Sequence, residues 1–415
     1  MGSLFANLIN KLKSKKEKKL SKVELRRGKG SGTFDEEGYL TQEIFSYDEE
    51  KDDDISVSKE IREMSKNGYN LLKSGQIDDA IFCFEKLLEI APENSYALVG
   101  LGDAYRKSNS IDSAMIAYKK VLDAKPENVH AMFGLACCYR QKKQTGKALE
   151  LFEAYLKKDP FNCVIMLKLA DGYRRLRNFR KAKYYYTRIL KTEPKNNYAY
   201  IGMGYLYYDF KDYDKAISYW GQVINNIDID KNIKLLTAVG NCYRKMKYYD
   251  LGVPYFLDAL EIDGNNFYAL FGVADCYRGL QQHQKSIVYW QKLLEIEPDN
   301  KVILTRIGDS CRNVGELERA EKYYQEALSM AYDSYAVLGL VSILKTHGEI
   351  QGAIDLINKY ISLDKKNYRF YIEMADCHQK QGNPHKALAV LKEFQKIGGT
   401  DRLIDSMIEK IKASM

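Results

Sequence analysis

Proline is scarce in this chain of 415 residues: there are seven, where average usage would give about 20. Few prolines leave room for long stretches of helix. No apolar run approaches the length of a membrane span. The first residues lack a secretory layout, because the apolar ones precede the lysines and no small-residue cleavage site follows. The chain is therefore expected in the cytoplasm, with a peripheral position at the inner face of the membrane as the further option. The eight cysteines contain no CxxC or CxxxxC pair, so neither a zinc site nor a disulfide framework is indicated. Phosphate-loop, serine-hydrolase elbow and zinc-protease motifs are missing as well. The five histidines are scattered. The expectation is a protein that is not an enzyme and carries no metal or other cofactor.

What is abundant is tyrosine, 33 residues, against a mild net charge of +8. The few prolines explain where the tyrosines fall. Pro92, Pro126, Pro160 and Pro194 stand 34 residues apart, and Pro298 follows after three more periods plus two residues. A fixed period of this length indicates stacked helical hairpins, each unable to bury its apolar stripe alone. Ten units follow: 61–94, 95–128, 129–162, 163–196 and 197–230, then, after a two-residue insertion at Lys231 and Asn232, 233–266, 267–300, 301–333, 334–367 and 368–401.

Position 8 of the unit is Gly68, Gly102, Ala136, Ala170, Gly204, Gly240, Ala274, Gly308, Val341 and Ala375. Position 20 is small in all ten units, from Ala80 to Ala387. Position 11 is Tyr105, Tyr139, Tyr173, Tyr207, Tyr243 and Tyr277 in six units, and position 24 is aromatic or aliphatic throughout. Two helices approach closely only where side chains are small, and the aromatics fill the space around that contact. Proline at position 32 stops the second helix.

This pattern resembles the tetratricopeptide repeat (TPR) family. The resemblance implies an all-α, right-handed superhelical solenoid of antiparallel helix pairs. The departures come late: Val341 at position 8, and Cys311 and His378 at position 11. Residues 402–415 place Leu403, Ile404, Met407, Ile408 and Ile411 on one helical face, a C-terminal capping helix over the last repeat. Ahead of the array, residues 1–30 carry a net +8 and residues 31–60 a net −9. They read as a basic tail with a short amphipathic segment and an acidic, disordered linker.

Position 9 is Asp in five units and position 12 is Arg in six. Asp103–Arg106, Asp171–Arg174, Asp275–Arg278 and Asp309–Arg312 share helices, and Arg140 and Arg244 hold the same place in two further units. The resemblance implies that positions 2, 5, 9, 12 and 13 line a concave groove for an extended peptide. Position 2 adds Tyr96, Tyr198, Tyr268 and Tyr335. Two readings stand side by side. The Asp and Arg rows are a ladder within and between repeats that sets the pitch of the solenoid, or they present guanidinium forks to a bound segment. The tyrosines at position 2 pack between repeats, or they touch the ligand. The Lys/Asn clamp of the chaperone-tail-binding members is missing, since Asn241 is preceded at position 5 by Thr237.

The adjacent Cys137 and Cys138 invite a redox reading. However, Cys138, Cys242, Cys276 and Cys377 share repeat position 10, which makes them small core fillers. Leu4, Phe5, Leu8, Ile9 and Leu12 share a helical face with lysines crowding behind, as an anionic membrane surface would require. Nucleic acid is a poor match, because the basic block lacks interleaved aromatics. The expected function is a protein-interaction scaffold binding a polypeptide segment. The alternatives are a membrane-surface adaptor anchored by residues 1–20 and a regulatory or recruiting subunit of a separate enzyme.

Overall fold

The computed structural model describes residues 59–224, 229–399 and 401–415. The segment carrying Leu4, Phe5, Leu8, Ile9 and Leu12, and the acidic stretch after it as far as residue 58, lie outside the described residues. The chain divides into two units, Met1–Arg62 and Glu63–Met415.

Ten helix pairs follow in order. They are α1 (Lys59–Ser74) with α2 (Ile77–Ile90), α3 (Ser95–Lys107) with α4 (Ile111–Ala124), α5 (Val129–Gln141) with α6 (Thr145–Lys158), α7 (Cys163–Arg175) with α8 (Phe179–Thr192), and α9 (Asn197–Asp209) with α10 (Tyr213–Gly221). Then come α11 (Ile229–Lys245) with α12 (Tyr249–Ile262), α13 (Phe267–Gly279) with α14 (His283–Ile296), α15 (Lys301–Asn313) with α16 (Leu317–Met330), α17 (Ser334–Thr346) with α18 (Ile350–Ile361), and α19 (Tyr368–Lys380) with α20 (Pro384–Lys396). A last helix, α21, spans Arg402–Ser414. No strand occurs among the described residues. Each helix packs on the next, and first helices also touch first helices of neighbouring repeats. The inserted residues Lys231 and Asn232 fall inside α11, which is longer than the other first helices.

Two backbone devices repeat. Position 34 supplies the cap of the following first helix: Asn94, Asn128, Asn162 and Asn196 accept from the amides of Ala97, Ala131, Ile165 and Ala199 at 2.9–3.0 Å. Position 15 closes the turn between the two helices with a positive φ. Gly75, Gly315, Gly348 and Gly382 take that conformation without strain, whereas Asn109, Lys143, Arg177, Lys211, Lys247 and Gln281 hold φ of 58–65°.

The core is built on position 24. The rings of Phe84, Tyr118, Tyr186, Trp220, Phe256, Trp290 and Tyr324 are fully buried. Each glycine at position 8 makes room for the ring of its own repeat: a Cβ on Gly102 would lie 2.7 Å from Tyr118, and one on Gly308 2.7 Å from Tyr324. A second glycine, at position 6, receives the same ring from the preceding repeat. Gly100 lies under Phe84, Gly134 under Tyr118, Gly202 under Tyr186, Gly272 under Phe256 and Gly339 under Tyr324. The ring is thus clasped between two first helices, and it couples one repeat to the next.

Tyrosine at positions 11 and 23 forms stacked pairs in four consecutive repeats. They are Tyr173–Tyr185, Tyr207–Tyr219, Tyr243–Tyr255 and Tyr277–Tyr289, with centroids 5.5–6.0 Å apart. Lys181, Lys215 and Lys285 cap three of these stacks, with ammonium groups 4.4, 5.3 and 5.4 Å from the ring centroids of Tyr173, Tyr207 and Tyr277.

At the C-terminal end, α21 buries Ile404, Ile408 and Ile411 in one cluster with Leu391 and Phe394. Trimming Ile411 to alanine is expected to cost about 2 kcal/mol locally, the low end for a buried isoleucine because a terminal helix can relax. Amide exchange should quicken in α20 and α21 and stay unchanged in α13. Unchanged exchange in α20 would mean that the helix does not stabilise the repeat it covers.

Candidate polypeptide-binding face

The Asp and Arg rows lie on the first helices, and the structure ties most of them to protein partners. In three repeats the tyrosine at position 24 donates its hydroxyl to the aspartate at position 9. Tyr118 reaches Asp103 at 2.6 Å, Tyr324 reaches Asp309 at 2.8 Å, and Tyr186 bonds Asp171. Where position 24 is phenylalanine, as in Phe84, Phe152 and Phe256, position 9 is Tyr69, Cys137 or Asn241 and never aspartate. A buried carboxylate is kept only where a hydroxyl or a guanidinium can reach it, the latter being the case for Asp275.

The guanidinium groups extend the network across repeat boundaries. Arg174 pairs with Asp209 of the next repeat at 2.6 Å, Arg244 with Asp275 of the next at 2.7 Å, and Arg312 donates to Ser342 at 3.5 Å. In the ninth repeat Lys345 replaces arginine and bridges Glu373 and Asp376 of the tenth at 2.6 and 2.5 Å. Pairing within one helix holds for Asp103–Arg106 at 3.6 Å and Asp275–Arg278 at 2.7 Å. Asp309 also pairs with Arg306 of its own helix, at 3.9 Å. In repeats 4 and 8 the tyrosine hydroxyl bonds the aspartate, and Arg174 and Arg312 reach the neighbouring repeat. Arg140 is half-buried. Arg174 and Arg244 also stand 5.6 and 6.0 Å from the rings of Tyr205 and Phe271 in the following repeats.

These environments separate the carboxyls. Burial pushes Asp171 and Asp309 above the ordinary value, against the pull of their tyrosine hydrogen bonds and nearby arginines. Burial acts on Asp275 in the same direction, but hydrogen bonds from Arg278 and Arg244 outweigh it and hold that carboxyl below the ordinary value. Burial also pushes the Cys138, Cys242 and Cys276 thiols up to about 12. They are protonated core side chains near neutral pH and not nucleophiles. No cluster that could hold a metal occurs among the described residues.

The tyrosines at position 2 divide into two kinds. Tyr96 and Tyr198 are half-buried. Tyr268 and Tyr335 are 73% and 52% exposed. Between them Val302 holds the same position in the eighth repeat and is 46% exposed. Beyond them Arg369 of the tenth repeat sits 5.4 Å from the Tyr335 ring centroid. Sequence reasoning named the two exposed tyrosines and missed Val302, the hydroxyl bonds of the tyrosines at position 24 and the glycines at position 6. Position 5 also serves the interior, as Phe133 packs on Phe152 and Phe271 on Trp290.

A solenoid of helix pairs with small residues where helices cross, and a polar row along its first helices, belongs to the class of helical-repeat interaction proteins. The chain is a member of the tetratricopeptide repeat family. The model of the N-terminal TPR repeats region of Psidin matches residues 65–203. Tetratricopeptide repeat models match residues 198–226, 233–266, 268–300 and 303–334. Among solved structures the chain is similar to a tetratricopeptide repeat protein from Parabacteroides merdae, with 18% identity, 69% of this chain and 99% of that chain covered, and a TM-score of 0.38. It is similar to the MamA protein, with 25% identity, 42% and 93% covered, and a TM-score of 0.38. It is also similar to pilF of Pseudomonas aeruginosa, with 16% identity, 50% and 94% covered, and a TM-score of 0.44. No curated relative matches the sequence. As a member of this family the chain is a protein-interaction scaffold. No described helix is long and apolar enough to cross a membrane.

Proposed function

We propose that the scaffold binds an extended polypeptide segment along its first helices, anchored in repeats 7–9. The observation that carries this reading is the row Tyr268, Val302 and Tyr335, three solvent-exposed apolar or aromatic side chains at one repeat position in consecutive repeats. Side chains spaced by one repeat suit a segment laid along the array, and tyrosine is a strong anchor because it brings large area at low entropy cost. The Asp and Arg rows take a supporting part: they hold neighbouring repeats in register.

Charge reversal of Arg106 or Arg174 would unsettle the fold itself, so the test is made on the exposed row. The Tyr268→Ala/Tyr335→Ala variant should melt as the parent does and recover at least about tenfold less of its partner, an anchor loss of about 1.4 kcal/mol or more. Affinity purification from the source cells, quantified by mass spectrometry, reads this directly. Equal recovery by a cooperatively folded double variant sinks the reading.

A further inference from the structure

Repeat 4, residues 163–196, carries ten Lys and Arg against two carboxylates, while no other repeat exceeds a net +3. Both carboxylates are engaged inside the repeat. Asp171 is buried under the Tyr186 hydroxyl, and Glu193 accepts from Asn196 Nδ2 at 2.6 Å. Neither offsets the outer face of α8. Along that face Arg180, Lys183, Tyr184, Arg188 and Lys191 recur at spacings of three and four residues and form one stripe.

Arg180, Lys183 and Lys191 are exposed, and none of them forms an ion pair with another described residue. Arg188 donates to the Pro160 carbonyl at 2.7 Å and stands 5.6 Å from the Tyr184 ring centroid. That leaves the 56% exposed Tyr184 in the middle of the stripe, with cations on either side. One exposed carboxylate stands at each edge, while Lys157 of α6 holds the repeat position of Lys191. Glu150 of α6 holds the repeat position that Tyr184 holds in α8, and Asp214 of α10 holds that of Arg180; both are exposed.

We propose that the outer face of α8 is a second docking surface, and that it takes an acidic polypeptide segment of a partner protein with an apolar side chain seated on Tyr184. The width of the stripe selects this class. A lipid surface or a nucleic-acid duplex presents a broad anionic face, which would also bring Glu150 and Asp214 against like charge. A single acidic segment meets only the cations. Its apolar residue gains the face of Tyr184, and Arg188 adds its guanidinium beside that ring.

The probe is a short fluorescein-labelled Asp/Glu peptide with one central Phe, titrated against the full chain by anisotropy at low salt. The charge-reversal variant Arg180→Glu/Lys183→Glu/Lys191→Glu should bind at least about tenfold more weakly, and Tyr184→Ala about threefold. The milder Lys183→Gln/Lys191→Gln should fall between parent and triple variant, and all three should melt as the parent does. The Tyr268→Ala/Tyr335→Ala variant should bind this probe like the parent, which separates the surface from the first-helix row. Equal binding by the folded triple variant overturns the proposal. So does tighter binding of a DNA oligonucleotide or a phosphatidylserine vesicle to the same stripe.

Discussion

Replacing Gly134 with leucine should open the junction between repeats 2 and 3, at a cost of about 3 kcal/mol, the upper range for overpacking. A Cβ at residue 134 would lie 2.2 Å from the Tyr118 ring and 2.7 Å from its hydroxyl oxygen. The ring has nowhere to go. Its other face rests on Gly102, and its hydroxyl is held by Asp103 at 2.6 Å. Moving Tyr118 would also strip a partner from a buried carboxylate, so the clash spreads into the polar network. A repeat array opens locally, so global melting is a blunt measure. Amide exchange in α4 and α5 should accelerate by about a hundredfold, with α13 and α15 unaffected. Gly146→Ala is the matched control. That glycine is exposed on α6 with nothing within 4 Å of a new Cβ, and the change should stabilise by about 0.5 kcal/mol. Protection in α5 that survives Gly134→Leu within twofold would show that position 6 tolerates a side chain, and that the ring is not clasped as described.

Gly134 also marks where the sequence was legible and where it was not. The hairpins were readable because small residues at positions 8 and 20 and proline at 32 answer to one repeat at a time. Position 6 is glycine in five units and Lys66, Lys168, Ala238, Arg306 or Glu373 in the others, so its role shows only once the ring of the previous repeat is seen above it. The stacked tyrosines were readable as recurring positions 11 and 23 but not as pairs, since pairing needs the crossing geometry of two helices. The Asp and Arg rows were visible at once as a ladder within and between repeats, but spacing along one helix does not say which group across the boundary each arginine meets. Arg174 and Arg312 face a neighbour whose complementary group lies about one repeat ahead, at Asp209 and Ser342. The exposed Tyr268 and half-buried Tyr198 occupy the same repeat position, and nothing local distinguishes them.

Two aspartates of the same row should respond oppositely to one substitution. Asp275 takes hydrogen bonds from Arg244 of the preceding repeat at 2.7 Å and from Arg278 of its own helix at 2.7 Å. An asparagine there leaves two partly buried guanidinium groups without a counter-charge. Losing one side of a buried pair costs about 3–5 kcal/mol, and partial exposure of Arg278 reduces this to about 2 kcal/mol at neutral pH. Asp171 is different. Its partner is the Tyr186 hydroxyl, which an asparagine carbonyl can also accept from, and Arg174 keeps its bond to Asp209. Asp171→Asn keeps that acceptor and should change stability by less than about 0.5 kcal/mol at pH 7.

The pH dependence separates them further. Asp275 is depressed in the fold, so its contribution is present above the unfolded value, near 3.8, and is lost as pH falls through the folded value. The deficit of Asp275→Asn should therefore shrink below about pH 4. Asp171 is raised in the fold, so its contribution is fully present below the unfolded value and is lost as pH rises through the folded one. The parent should gain on Asp171→Asn as the solution is acidified. Only two tryptophans exist, Trp220 in repeat 5 and Trp290 in repeat 7. Both are fully buried, and urea unfolding followed by their fluorescence samples both neighbourhoods. Parallel pH profiles for the two variants would mean that the row is a uniform charge ladder. Divergent profiles would show that Asp275 is an electrostatic clasp between repeats and Asp171 a hydrogen-bond acceptor within one.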